Sequence, residues 1–280
     1  GLDKPLIQQY LIYLSDITRG DFGTSIMTTR PVLDDIIRFF PATLELATIA
    51  TFFGVILGIP MGVLAAVNQG RLIDHVIRII GLFGYSVPIF WLGMVALLVF
   101  YAALGWLPGP GRIEVYYDGI VEARSGIILI DSALQGEWEI FWNALHHLVL
   151  PSAMLATFAL AYIARMTRSF MLDQLNQEYI LTARVKGLSE SAVIWRHAFR
   201  NVLVQLITII GLTYASLLEG SVLTETIFAW PGIGQYITTS LFNADMNAVI
   251  GGTVVVGFCF VGINVLSDIL YRIADPRARE

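Results

Sequence analysis

Five stretches of this sequence contain no Asp, Glu, Lys or Arg: Leu46 to Val67, Ile79 to Gly111, Ile140 to Ala164, Asn201 to Leu218 and Met246 to Ser267. A helix needs roughly 20 mainly apolar residues to cross the hydrocarbon core of a bilayer. All five runs qualify, the fourth by continuing past Glu219. A membrane β-barrel would alternate polar and apolar residues in segments of about ten, and these runs do not alternate. The fold expected is therefore an all-α integral membrane protein with five transmembrane helices in this chain. Charged residues make up only 14% of it, and one membrane domain accounts for the whole sequence.

The net charge of −5 hides an asymmetry that orients these helices. Arg71 and Arg78 flank the first short loop, six basic residues from Arg165 to Arg200 fill a long one, and Arg272, Arg277 and Arg279 follow the last run. If the runs alternate across the membrane, these 11 of the 17 basic residues share one side. Lys/Arg excess marks the cytoplasmic side. Residues 1–41 are then extracytoplasmic and 42–273 form the transmembrane domain. Within that domain 106–145 is an outer loop and 165–200 a cytoplasmic loop, and 274–280 forms a cytoplasmic tail. A polar segment placed outside needs delivery, so a sixth span is expected to precede this sequence.

Local signals refine the picture. Leu6 to Ile17 has helical periodicity, Gly20 and Gly23 break it, and Pro31 begins a short helix expected to end before Pro41. Asn68-Gln-Gly-Arg71 reads as a tight turn. Gly54, Gly58 and Gly62 recur on one helix face, which suits close packing of another helix. Pro60 and Pro88 lie inside runs and favour a bend. His146 and His147 are adjacent and point about 100° apart on a helix, so they cannot share one metal ion. The tryptophans Trp91, Trp106, Trp138, Trp142 and Trp230 read as an interfacial belt. Cys259, the single cysteine, has no partner within the chain.

The cytoplasmic loop of 36 residues, Arg165 to Arg200, is far longer than a connection requires. Phe170 to Lys186 reads as one helix stopped by Gly187, and Ser189 as the N-cap of a second helix reaching Phe199. Leu181, Val185, Leu188 and Val193 project apolar surface beside Arg184, Lys186 and Arg196. On composition alone this is either a protein-docking knob or an amphipathic element lying on anionic lipid.

The segment Glu178-Tyr-Ile-Leu-Thr-Ala-Arg-Val-Lys-Gly-Leu188, followed by His197-Ala-Phe-Arg-Asn201, resembles the EAA loop of ATP-binding-cassette importer permeases. More narrowly it is similar to the dipeptide, oligopeptide and nickel branch. Further stretches carry the same resemblance: Gly20-Asp-Phe-Gly-Thr-Ser25, Ser86-Val-Pro-Ile-Phe-Trp91, Arg165-Met-Thr-Arg-Ser169, Gly220 through Gly234, and Asp275-Pro-Arg277. Strict consensus would place Glu-Ala-Ala at 181–183, where this chain has Leu181-Thr182-Ala183, a departure common in the peptide branch.

The resemblance implies a type I ABC importer permease fold, usually of six spans. It also implies a coupling role toward an ATPase for Glu178, Thr182, Ala183, Arg184, Lys186, Gly187 and Leu188. Expected partners are a homologous second permease, two ATPase subunits, an extracytoplasmic solute-binding protein and the lipid bilayer, with no nucleic acid. Lys4 and Lys186 are the only lysines and neither lies in a phosphate-binding loop. ATP and Mg2+ therefore belong to the partner subunits; this chain needs no cofactor or metal and is no enzyme.

Pathway residues are less constrained. Glu219 lies inside a span, where an ionisable group is costly and by default functional. Its expected role is to attract a cationic group of the cargo; the competing reading is a protonated or Arg-paired structural glutamate. Many relatives carry a small residue there, so the chain departs from its family at this point. Glu225, Pro231, Gly232 and Gly234 belong to the resembling segment and are expected to form a periplasmic gate, with Pro88 a bend on the pathway. For Glu225 the bland alternative is a glutamate in the headgroup region. The function expected is alternating-access import of di- or oligopeptides across the bacterial inner membrane. The rivals are a nickel- or glutathione-type cargo within the family, a proton-coupled secondary transporter using Glu219, and a membrane enzyme, for which no catalytic constellation is evident.

Overall fold

The computed structural model describes residues 5–274. The tail residues 275–280, with Arg277 and Arg279, and Lys4 lie outside the described residues. Helix α1 covers Leu6–Thr18, α2 Val32–Val67, α3 Leu72–Ser86 and α4 Ile89–Ala96, which continues as a π-helical stretch Leu97–Ala103. Next come α5 (Ile128–Gln135), α6 (Trp138–Leu175), α7 (Glu178–Val185) and a π-helical turn Ala192–Ala198 leading into α8 (Phe199–Gly220). The chain closes with α9 (Val222–Ile227), α10 (Ile233–Phe242) and α11 (Met246–Ala274). Among the described residues the one extended pairing is a bridge between Thr24 and Pro31.

Helices α2 and α6 form the spine. Where the sequence reading stops a short helix before Pro41, α2 instead runs unbroken for 36 residues through both Pro41 and Pro60. A proline inside a helix loses one backbone hydrogen bond. Packing on both sides of Pro41 outweighs that loss: Val32 and Ile36 before it are buried against Ile233 and Tyr236, and Ala42, Leu46, Ala47 and Ala50 after it sit in one cluster with Leu148, Leu155 and Ala159 of α6. The glycine face does the close packing. A Cβ at Gly54 would fall 2.5 Å from Ala159 Cβ, and one at Gly62 would fall 2.5 Å from Thr167 Cβ. The three glycines thus let two backbones touch, as their spacing suggests.

Four helices are long and apolar enough to span a bilayer, and α3 with the Ile89–Ala103 stretch makes a fifth, bent by 97°. The bend falls at Val87–Pro88, where Val87 is extended and Pro88 supplies no N–H donor. Despite the bend, the pair runs along about half the length of α6. Asp74 meets Arg168, Gly84 packs on Thr157 and Ala161, and Ala96 clusters with Leu150. Those α6 positions span about 27 Å at 1.5 Å per residue, close to the hydrocarbon thickness. One end of the bundle carries the short turn 68–71 and the basic loop; it is called here the basic end, and the other the acidic end.

Three boundaries differ from expectation, one being the second helix of the cytoplasmic loop, which does not end at Phe199 but continues unbroken into α8. The loop expected over 106–145 is shorter, since α6 already begins at Trp138. At the other end α6 runs to Leu175, and the single helix expected over Phe170–Lys186 is broken at Asn176–Gln177. Asn is a poor helix former. The extended Gln177 (ψ 150) then lets a new helix start with Glu178 in its first turn, where a negative charge suits the helix dipole.

Candidate coupling knob and outer gate

The basic end is built around α7. Its inward side chains, Ile180 and Ala183, are buried in a cluster with Val63 and Ala66 of α2, Met171 of α6 and Val193, Val202 and Leu206 beyond. Ala183 is small because it faces that core. Glu178, Thr182, Arg184, Lys186, Gly187 and Leu188 all face outward. The structure thus splits the expected coupling residues into one packing residue and an exposed set.

The corner after α7 is a Schellman motif. Gly187 adopts φ 78°, its N–H bonds to the Arg184 carbonyl at 2.9 Å, and the Leu188 N–H bonds to the Ala183 carbonyl at 3.3 Å. No atom lies within 4 Å of where a Gly187 Cβ would sit, so only the left-handed backbone demands glycine there. Ser189 Oγ accepts from the Ala192 N–H at 3.4 Å, opening the next helix as expected. Around the corner Leu181, Val185 and Leu188 are 63%, 81% and 41% exposed. Leu181 and Val185, one turn apart on α7, and Leu188 just past the corner put exposed apolar surface on a knob otherwise charged. Arg184 pairs with Glu190 at 2.9 Å, and Tyr179 ties the knob to α6 and α8 through Gln174 and Asn201. The sequence reading missed Tyr179, whose partners lie 5 and 22 residues away.

The acidic end is organised differently, around one turn of α2, residues 42–45. Thr43 Oγ1 donates to Glu225 Oε1 at 2.7 Å and accepts from the Ile233 N–H at 2.8 Å. Ser221 Oγ donates to the same Oε1 at 2.9 Å, and the Gln235 N–H reaches Oε2 at 3.0 Å. Glu225 is fully buried within the chain rather than open to its surroundings. Burial pushes its carboxyl above the usual range, against the opposing pull of these hydrogen bonds.

Close approach explains the neighbouring glycines. A Cβ at Gly232 would fall 2.5 Å from Glu225 Cδ, and one at Gly234 2.8 Å from Oε2. Pro231, before them, is half-buried. Trp230 is not part of an interfacial belt: it is fully buried, and its Nε1 donates to the Ala42 carbonyl at 2.9 Å. The other four belt tryptophans are exposed.

A second anchor lies one residue pair along. Arg112 grips Glu45 through Nη2 at 2.5 Å and Nε at 3.0 Å, reaches the Gly126 carbonyl at 2.9 Å, and lies 5.8 Å over the Trp230 ring. The Leu129 N–H completes Glu45 at 3.1 Å. Residues 42–45 of α2 thus gather the loop before α6 and the segment from α9 to α10. A third anchor holds the N-terminal segment: Asp245 accepts from Ser25 Oγ at 2.6 Å and from the Ile26 and Met27 N–H groups at 2.8 and 3.2 Å. Burial pushes the Asp245 carboxyl up, but these bonds outweigh it and hold its pKa below the usual value.

Glu225, Pro231, Gly232 and Gly234 therefore meet in one hub. Glu219 does not join it: it is exposed on the last turn of α8 and has no ion pair among the described residues. Pro88 stands apart at the α3–α4 bend. His147 is buried against the Asn143 carbonyl while His146 is exposed, so the two diverge.

A bent-span helical bundle with an exposed knob at one end and a buried polar hub at the other is the architecture of a multi-pass membrane transport subunit. The sequence of residues 58–280 matches the family described as binding-protein-dependent transport system inner membrane component. The chain is 47% identical over 277 residues to the "Probable D,D-dipeptide transport system permease protein DdpB" of Escherichia coli, covering 99% of this chain and 81% of that one. It is 44% identical over 279 residues to the "Di/tripeptide transport system permease protein DppB" of Pseudomonas aeruginosa, covering 100% and 82%. Its fold is similar to a chain of the MetNI methionine ABC transporter solved in inward facing conformations. That likeness has a TM-score of 0.63 at 17% identity over 86% of this chain and 96% of the other. The chain belongs to the binding-protein-dependent transport system inner membrane component family.

Proposed function

We propose that this chain is one permease subunit of an ATP-driven importer for small peptides in a bacterial inner membrane, with its basic end in the cytoplasm. The observation that carries the reading is the knob: Leu181, Val185 and Leu188 stand exposed on a rigid glycine corner whose other face is locked into the bundle. Such a surface fits a groove on a separate ATPase subunit, which would hold the ATP and Mg2+. The names of the relatives quoted above support a peptide cargo.

A homologous second permease, a second ATPase subunit and an extracytoplasmic solute-binding protein would complete the assembly. The hub would then act as the outer gate, and alternating access would follow from a motor biasing one bistable bundle. A polar stripe supports a pathway along α8: Asn201, Gln205, Thr208, Ser216 and Glu219 recur at helical spacing and are exposed or half-buried in the chain. Polar groups facing hydrocarbon are costly, so this stripe suits a water-filled path or a second subunit. Glu219 would draw the cargo's amino group from the acidic end.

The test is uptake of a radiolabelled dipeptide by the reconstituted assembly with ATP inside the vesicles. Uptake should follow ATP and ignore protonophores. Uptake that survives ATP removal but collapses with a protonophore would instead make Glu219 a proton relay and overturn the reading. Glu219→Ala should raise the half-saturating concentration; unchanged affinity removes its pathway role.

A further inference from the structure

A cavity of about 490 Å3 opens between α3 and α6 in the basic half of the bundle, and none of the coupling or gating residues above lines it. His75, Arg78 and Tyr85 of α3 face Arg165 and Arg168 of α6 across it, with the small residues Gly81 and Ala161 leaving the space open. Arg168 is committed to Asp74, at 2.7 and 2.9 Å. Arg165 and Arg78 have no ion pair among the described residues. Arg165 lies instead over two rings, 4.9 Å from the Tyr85 centroid and 5.5 Å from that of Tyr162. Ring faces steady a guanidinium without consuming its N–H donors.

Two further observations bear on a solute path here. Arg165 directly follows the uncharged run of a span, so it stands at the edge of the hydrocarbon core, where its side chain lines the cavity. The 97° break in the α3–α4 span begins just beyond Tyr85. Irregular backbone at membrane depth survives where it is buried in protein or lines a cavity, and interrupted helices frame the solute sites of many transporters.

We propose that this cavity reads the cargo's carboxylate: Arg165, steadied by Tyr85 and Tyr162, binds the C-terminal carboxylate of a small peptide, with Arg78 as the second positive charge. The net charge facing the site is positive, because Asp74 is neutralised by Arg168 and His75 adds no negative charge. The inference rests on the peptide-importer reading. A zwitterionic peptide would then meet Glu219 near the acidic end and Arg165 in the basic half, each matched to one of its termini.

The experiment compares ATP-driven uptake of a dipeptide and of its C-terminal amide by the reconstituted assembly, with wild type, Arg165→Gln, Arg165→Lys and Arg78→Gln. Arg165→Gln should lower uptake of the free acid by roughly tenfold, the scale of one charge-assisted hydrogen bond, and leave the amide nearly unchanged. Arg165→Lys should retain part of the preference, and Arg78→Gln should lose a smaller part. The solute-binding protein is the same throughout, so its own selectivity cancels between variants. An unchanged acid-to-amide ratio in Arg165→Gln, or equal loss of both cargos, overturns the proposal. So does an Arg165→Gln effect that vanishes in pure phosphatidylcholine vesicles and returns with phosphatidylglycerol, which would assign the site to a lipid phosphate. If wild type takes up neither cargo, the peptide reading falls and takes this site with it. If wild type takes up both and the variants match it, the site alone falls.

Discussion

Arg112–Glu45 and Arg184–Glu190 are the same chemistry at opposite ends of one bundle, yet they serve different purposes. In the first pair the side chains are 14% and 2% exposed, in the second 42% and 64%. Burying a guanidinium and a carboxylate is worthwhile only when every remaining donor and lone pair is met. At the acidic end further partners are supplied by the Gly126 carbonyl and the Leu129 N–H. The hub is complete within this chain. The knob is not: its charges are paired in water and, among the described residues, nothing covers Leu181, Val185 and Leu188. One end of the molecule is satisfied within the chain while the other leaves apolar surface exposed.

That contrast can be tested by unequal responses to similar substitutions. The largest stability loss is expected for Arg112→Ala, which strands a buried Glu45 and should cost about 3–5 kcal/mol. Thermal unfolding in detergent measures it, and a loss no greater than that of a surface pair would mean the hub is wet. Glu225→Ala comes next, at about 2–3 kcal/mol, because it leaves the Gln235 N–H and the Thr43 hydroxyl without their acceptor, while Ser221 keeps the Leu218 carbonyl at 3.2 Å.

A pH response of the acidic end should follow from Asp245. Its folded pKa is depressed, so its hold on residues 25–27 is fully present above the ordinary carboxylate value, 3.8, and is lost as pH falls through the lower folded value. Proteolytic nicking of the 25–30 turn should rise only in strong acid, and Asp245→Asn should remove that step; nicking that begins near neutrality contradicts the anchor. The smallest stability effect belongs to Arg184→Ala, about 0.2–1 kcal/mol. Transport by that variant should nevertheless fall severalfold, and a variant that loses neither stability nor transport would deprive Arg184 of a docking role.

The legibility of these two ends in the sequence differs for a physical reason. Spans and knob are written in local pattern: uncharged length, the stop at Gly187, and the 181, 185, 188 spacing all lie within a few turns of chain. The Pro88 bend is local too. The hub is long-range. Thr43 and Glu225 are 182 residues apart, Arg112 and Glu45 are 67 apart, and no periodicity links such partners.

Trp230 was therefore legible only as an amphipathic aromatic, and its burial under Arg112 was not. The break at Asn176–Gln177 was also hidden, because Ile180 must turn into a core that only α2 and α8 complete. Glu45 carried one signal in hindsight, a lone charge at the mouth of an apolar run. Such a residue needs a partner, but its sequence does not say which.

The knob is the claim on which the functional account stands. Its most direct test is a permease in which Leu181, Val185 and Leu188 are all changed to Ser, assembled with its partners and assayed for retained ATPase subunits and ATP-driven peptide uptake. These side chains point away from the core, so the unfolding midpoint should match wild type while the ATPase subunits are lost on purification and uptake falls to background. Wild-type uptake with the ATPase subunits still bound would contradict the account.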